Sequence, residues 1–381
     1  MNDTPEQAQF RATVQRFVAN EIAPNVDAWD EAETFPRELY QKAAAIGLIG
    51  MGYPEEYGGI PADLALRMIS TEEIAKAGSG GLMASLFSHS IGLPPIANWG
   101  SGAMKARVLP QVLSGEKISA LAITEPSGGS DVAQLKTTAT LDADGAHYIV
   151  NGSKMFITSG VRADFYTVAV RTGGPGAAGV SLLLIERGMA GFTQQPLRKM
   201  GWWMSDTAQL FFDNVRVPIS NLIGEENQGF KLIMHNFNSE RLLMSVGATA
   251  FAQVCYDEAV TWAQTRHVFG GPLAEKQVVR HQLVDMQMGI AASRAWIESI
   301  MGRIEAGEDK SPRLVADLCM LKNFTTQTMQ RCADQAVQIL GGMGFMRGAK
   351  CERIYREVKV NMIGGGAQEV MKDLAARQLG I

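Results

Sequence analysis

Apolar positions along the chain change their spacing twice. From residue 5 to about 113 they recur at helical intervals: Phe10, Val14, Phe17 and Val18, then Leu39, Ala43 and Ile46, then Leu64, Met68 and Ile69. Such spacing marks one buried helix face, and interruptions such as Gly58-Gly59-Ile60-Pro61 read as connections. From about 120 to 224 the texture becomes β. Residues 136–141 alternate, 142–145 read as a turn, and 147–150 as a short strand closed by Asn151-Gly152, the strongest two-residue hairpin signal. Further strands are predicted at 154–158, 165–171, 180–186 and 207–212. Beyond 227 helical spacing returns in very long segments. Residues 227–265 hold hardly a breaker, and 273–306 carry Val278, Val279, Leu283, Met286 and Ile290 on one stripe. Helices this long pack as bundles or line oligomer interfaces. The predicted fold class is α+β, with an N-terminal helical domain (1–119), a middle β-barrel or sandwich domain (120–225) and a C-terminal long four-helix bundle (226–381).

Composition narrows the chemistry. The 381 residues carry 35 Lys+Arg against 39 Asp+Glu, a net charge of −4. That balance argues against a dedicated nucleic-acid surface, while a few placed arginines could still grip phosphates. The four cysteines form no CxxC pair, which excludes a disulfide scaffold or zinc knuckle and fits a reducing compartment. Neither a secretory signal texture nor an apolar run of about 18 residues is present. A cytoplasmic protein without a membrane span is expected.

Several motif matches fail on context. GPGAAG at 174–179 fits GxGxxG, but it lies between two predicted strands, whereas a dinucleotide fingerprint runs from strand into helix. GGMG at 341–344 fails likewise. The five histidines show no HExxH spacing and no GxSxG occurs, so no metal site is assigned. His281, on an apolar stripe, reads as structural. The informative segment is LAITEPSGGSD at 121–131, a strand end running into a hydroxyl-rich glycine turn that can cradle a phosphate or a flat polar heterocycle.

With this segment the sequence resembles the acyl-CoA dehydrogenases, tetrameric FAD enzymes. LAITEPSGGSD resembles the family's first signature and KMFITSG (154–160) its flavin-facing strand. The resemblance continues through MSDT (204–207), TRHVFGGPLAEKQ (265–277), QILGGMGF (338–345) and YREVKVNMIGGGAQEVMK (355–372), in order along nearly the whole chain. It implies FAD as cofactor and an acyl-CoA as substrate. It also implies electron-transferring flavoprotein as acceptor and a homotetramer built as a dimer of dimers.

Residue by residue, the resemblance assigns Leu121, Ile123 and Thr124 to the flavin ring, Gly129 to the cofactor contacts, and Ser130 to flavin phosphate and the CoA arm. Phe156 and Thr158 would flank the isoalloxazine, with Phe156 replacing the commoner tryptophan. Arg266, Phe269 and Gln277 of a neighbouring subunit would reach the FAD pyrophosphate and adenine, and Gln338, Gly341 and Gly342 the adenosine. Ala367 and Glu369 fall in the last FAD-contacting segment, where Ala367 replaces a threonine. Most relatives carry the proton-abstracting glutamate in an IYEGT motif, whose glutamate position here is Gly365. A subset, of the isovaleryl-CoA and long-chain type, carries it on a long helix in an ERL context. This chain has Glu240-Arg241-Leu242 there, so Glu240 is the expected base. Asn238 and Arg241 are expected near the substrate, and the Gly365 N–H is expected to polarise the thioester carbonyl. Gly364, Gly365 and Gly366 predict a roomy site for long, branched or bulky acyl groups. A flavin oxidase or monooxygenase of the same fold, which the Glu240-Arg241 pair disfavours, and a non-catalytic flavin- or acyl-CoA-binding scaffold, which Glu240→Gln would separate, are the alternatives.

Overall fold

The computed structural model describes residues 3–308 and 311–381. Eight helices open the chain: α1 Pro5–Phe17, α2 Val26–Glu31, α3 Glu38–Ala45, α4 Leu64–Ala75, α5 Gly80–Leu86, α6 His89–Gly92, α7 Pro94–Trp99 and α8 Gly102–Leu113. Side-chain caps fix several starts. Thr4 and Gln7 form a reciprocal capping box on α1, and Asp63, Ser79 and Ser101 accept first-turn N–H groups of α4, α5 and α8. Each satisfies a donor the helix itself cannot.

Eight strands follow: β1 Ser119–Ala122, β2 Thr138–Leu141, β3 His147–Thr158, β4 Phe165–Arg171, β5 Val180–Glu186, β6 Phe192–Pro196, β7 Thr207–Pro218 and β8 Leu222–Ile223. They form one sheet of order β6-β7-β3-β2-β4-β5-β8, with β1 added in parallel on β4. β4 and β5 are buried on both faces except at their last residues. Tyr166, Val168 and Val170 join the core shared with α1 and α3, whereas Phe165 and Ala169 join the core under α8 and the first turns of the bundle. That two-sided burial explains why both strands read as unbroken apolar runs.

The sequence misplaced one turn. Asn151-Gly152 does not close a hairpin but lies inside β3. The β2–β3 turn sits upstream, since Leu141 pairs with Tyr148 and Thr138 with Asn151. At the Asn-Gly pair the β3–β7 register shifts, a β-bulge. Asn151 Oδ1 accepts the Asn214 N–H of β7 at 2.8 Å, which ties the bulge across the strands. Gly152 is required there because an added Cβ would lie 2.7 Å from the Thr137 Cα. The GPGAAG segment is indeed the connection between antiparallel β4 and β5.

Helices close the chain: α9 Gly229–Thr265, α10 Gln277–Glu305, α11 Pro312–Leu340, α12 Lys350–Ile363 and α13 Gln368–Leu379. Between α9 and α10, His267–Val268 (β9) and Gly271–Pro272 (β10) form a small antiparallel ribbon. The stripe predicted on α10 is only partly inward: Val279, Met286 and Ile290 are buried, but Val278 is exposed. Val284 and Met288 join Val278 at the surface, and His281 is exposed rather than packed in a core.

Glu357 of α12 pins the three regions together. Its carboxylate accepts the Gly80 N–H at 2.7 Å and the Gly81 N–H at 3.3 Å at the start of α5. The Trp202 backbone from the β6–β7 connection packs so closely on Gly81 that a Cβ there would lie 2.9 Å from the Trp202 Cα.

Candidate active site

The loop after β1 is held by a buried carboxylate. Glu125 accepts the Lys136 N–H at 2.6 Å, the Thr137 N–H at 2.8 Å and the Lys154 ammonium at 2.8 Å. Lys154 has no solvent-exposed side-chain surface and also donates to the Ile123 carbonyl at 3.0 Å. Burial pulls the Glu125 carboxyl upward, but Lys154 and the two N–H donors outweigh it and hold it below its ordinary range. The Met155 N–H donates to the Thr124 carbonyl at 2.8 Å, so this loop and β3 move as one. Leu121 and Thr124 are half-buried, Ile123 is buried, and Gly129 and Ser130 are exposed on the loop.

Two residues beyond Lys154, β3 slips its pairing with β7 again. Phe156 sits in this irregularity at φ +62° and leaves 65% of its surface exposed. A bulky residue in the left-handed region is strained, which marks it as a position held for use. Thr158 lies half-buried on the same strand. The following turn is tied down by Asp206, whose carboxylate accepts the Val161 and Arg162 N–H groups at 2.7 and 2.9 Å. Among the described residues β1 pairs with β4 alone. An exposed aromatic face and a neighbouring threonine suit a flat, polar-edged heterocycle.

A second set of residues converges from three helices. On α9, Glu240 is half-buried, and its Oε2 is shielded from solvent with no hydrogen-bond partner among the described residues. Burial pushes its carboxyl up to about 7, against the lowering effect of Arg241 and Lys322. Arg241 is buried beside the Phe237 ring, 5.5 Å from its centroid, and reaches the Asn238 Oδ1 at 3.4 Å. One turn beyond Glu240, Met244 faces the turn after α12: a Cβ on Gly365 would lie 2.7 Å from the Met244 Sδ. Gly365 has φ +66°, a conformation open to glycine at little cost. From α11, Lys322 donates to the Gly366 carbonyl at 2.7 Å. Met244 and Lys322, which the sequence reading missed, thus link the α9 segment of Glu240 and Arg241 to the turn that holds Gly365. The glycines do not leave empty space, because Met244 and Met371 pack against Gly365 and Gly366.

The remaining predicted residues lie elsewhere. Arg266, Phe269, Gln277, Gln338, Gly341 and Gly342 are all exposed, Phe269 at 98%. Arg294 of α10 bonds Gln253 of α9 at 3.0 Å, and Gly289 of α10 packs on Thr328 of α11. Those crossings bring the end of α9, the start of α10 and the end of α11 to one end of the bundle, away from Glu240. Within one chain these residues therefore do not join the Glu240 site. Ala367 is half-buried just before α13, and Glu369 is exposed in its first turn.

Comparison with known proteins identifies this layout. The chain matches the acyl-CoA dehydrogenase N-terminal domain over residues 4–116, the middle domain over 120–215 and the C-terminal domain over 227–380. It is 37% identical to the mitochondrial long-chain specific acyl-CoA dehydrogenase of Rattus norvegicus, across 97% of this chain and 85% of that protein. The acyl-CoA dehydrogenase of Geobacillus kaustophilus superposes with a TM-score of 0.94 at 36% identity, covering 100% of this chain and 99% of that one. The Bacillus anthracis acyl-CoA dehydrogenase solved with FAD superposes at 0.91 with 29% identity, over 99% of this chain and 68% of that one. Fold and kinship together define an FAD-dependent oxidoreductase. The chain belongs to the acyl-CoA dehydrogenase family.

Proposed function

We propose that this chain desaturates an acyl-CoA thioester between Cα and Cβ, with Glu240 as the group that removes the α-proton. The observation that carries this reading is Glu240 itself, a carboxylate whose Oε2 is shielded from solvent and has no partner among the described residues, one helical turn from the Met244 that packs on Gly365. FAD, when bound, supplies the acceptor for the β-hydride. Its ring would be held by Leu121, Ile123, Thr124, Phe156 and Thr158, with Ser130 near the flavin phosphate and Gly129 among the cofactor contacts. Its pyrophosphate and adenosine would be held by Arg266, Phe269, Gln277, Gln338, Gly341 and Gly342 of a neighbouring copy, with Ala367 and Glu369 completing the contacts.

Chemistry at the thioester asks two things of the protein. The α-proton is too weakly acidic for an ordinary carboxylate, so the base must be strengthened, and burial does that by raising Glu240 to about 7. The carbonyl must also be polarised as negative charge develops on it. The Gly365 N–H is the chain's donor in this role, and losing one such donor costs roughly 3–4 kcal/mol in comparable sites. Ser130, Asn238 and Arg241 would orient the CoA-bearing arm.

Long, branched or bulky acyl groups are the expected substrates. Gly364, Gly365 and Gly366 contribute no side chains, and the thioethers of Met244 and Met371 beside them can re-pack around different shapes. Electron-transferring flavoprotein is the proposed acceptor. The proposed assembly is a homotetramer, supported by the exposed Val278, Val284 and Met288 on α10 and the exposed Phe269 and Phe345. Among the described residues no helix is long and apolar enough to cross a membrane.

An anaerobic panel of straight, branched and ring-bearing acyl-CoAs tests the reading through flavin bleaching. Long or branched thioesters should bleach the wild type, and none should bleach Glu240→Gln. Bleaching that survives in Glu240→Gln refutes the base, and a sharp optimum at butyryl-CoA refutes the chain preference. Product formed only with O2 would point to oxidase or monooxygenase chemistry.

A further inference from the structure

Lys322, in the middle of α11, has no exposed surface. Among the described residues no carboxylate lies within ion-pair distance of its ammonium. It donates instead to two main-chain carbonyls, Met362 at 3.3 Å and Gly366 at 2.7 Å. These acceptors stand on either side of Gly364 and Gly365. The Met362 carbonyl belongs to the last turn of α12, where carbonyls lack intrahelical partners and the helix dipole is negative, so a cation is favoured there. The neighbouring Asn323 donates to the Gln368 carbonyl at 3.0 Å, which fastens the far side of the same turn to α11. Taking an ammonium out of water is costly without a carboxylate beside it. An apolar side chain would fill the volume without that cost but would leave both carbonyls unpaired.

We propose that Lys322 is a positioning residue for the reaction, clamping the turn of residues 362–366 so that the Gly365 N–H stays aimed at the thioester oxygen opposite Glu240. This rests on the assignment of Glu240 and Gly365 made above. The ammonium also adds positive charge within electrostatic reach of Glu240, together with Arg241 on α9, while Cys319 is the other titratable neighbour of Lys322. Because that charge favours the ionised form of Glu240, removing it should carry the base's titration further upward.

The test uses FAD-loaded protein and single-turnover anaerobic bleaching by an acyl-CoA active on the wild type. Lys322→Met should retain FAD and bind the thioester with similar affinity. Its maximal bleaching rate should fall on the order of 10- to 100-fold, the scale expected when a reacting geometry is loosened. The pH midpoint of that rate should also move above the wild-type value. Lys322→Gln keeps a donor without the charge, so it should recover much of the rate while its pH midpoint stays shifted. Rates within twofold of wild type and an unmoved profile in Lys322→Met overturn the proposal. So does loss of FAD or folding in both variants, which would make Lys322 a structural residue of the bundle. Failure of the underlying base assignment shows separately, as bleaching that persists in Glu240→Gln.

Discussion

Glu125→Gln asks whether one buried carboxylate holds the loop after β1 in place. In the wild type it satisfies two main-chain N–H groups and the fully buried Lys154. The amide keeps one acceptor oxygen but no charge, and turns a donor group toward donors. Lys154 is left as an uncompensated buried cation, a defect worth about 3–5 kcal/mol. For domains of this size each kcal/mol lowers the melting temperature by roughly 2–4 °C, so a drop on the order of 10 °C is expected. Melting followed by flavin fluorescence reads both unfolding and FAD release, which should occur together. Glu125→Gln/Lys154→Met removes both charges and should melt above the single variant, because the unpaired ammonium is gone. Breaking the exposed Lys42–Glu21 pair is the control and should cost less than about 1 kcal/mol. The reasoning is refuted if Glu125→Gln melts within about 2 °C of wild type with FAD bound, or if the double variant is no better than the single.

Other outcomes follow from the same structure. Gly365→Ala combines a left-handed backbone with a Cβ 2.7 Å from the Met244 Sδ. About 1–2 kcal/mol of backbone strain plus 1–3 kcal/mol of overpacking should lower the melting temperature, and bleaching should slow for every thioester in the panel. Glu357 is raised from its ordinary 4.5 to about 7, first by burial and then by Asp30, against its N–H donors and Arg353. Its proton is retained on folding, so the stability it contributes is full below about pH 4.5 and is lost as pH rises through 7. The total is about 3 kcal/mol. Glu357→Gln removes that titration, so melting curves of variant and wild type should diverge between pH 5 and 8; parallel curves would exclude it. Arg266→Ala should weaken FAD binding by roughly 10- to 100-fold, the loss of one charge-assisted hydrogen bond, as read by titrating apoprotein with FAD.

The elements that could be read from sequence are those whose burial writes a pattern. β4 and β5 were legible to the residue because both faces are buried, and the α9 segment because nothing interrupts its apolar spacing. Asn151-Gly152 misled because a local turn preference lost to pairing with β2 and β7 on either side. Phe156 was placed by its motif, but the strained backbone that exposes it depends on a register slip invisible in one strand. Glu125 lay inside a recognised segment, yet its role depends on Lys154, 29 positions away in the chain. Lys322 left no trace at all, since a lysine in a long helix ordinarily reads as a solvated surface residue. What meets it, the carbonyls of Met362 and Gly366, are main-chain groups that no side-chain pattern reports.

The uninterrupted α9 also acts as a ruler. Glu240 and Thr265 are 25 residues apart on one helix, so its rise fixes their separation at about 38 Å. Arg266 follows immediately at the helix cap. The Glu240 end and the exposed end are therefore held in a fixed rotational phase by the helix repeat rather than by intervening packing. Inserting a single residue between them would turn one end by about 100° relative to the other. Length variation within this helix is thus far less tolerable than substitution, whatever the identity of the residue inserted.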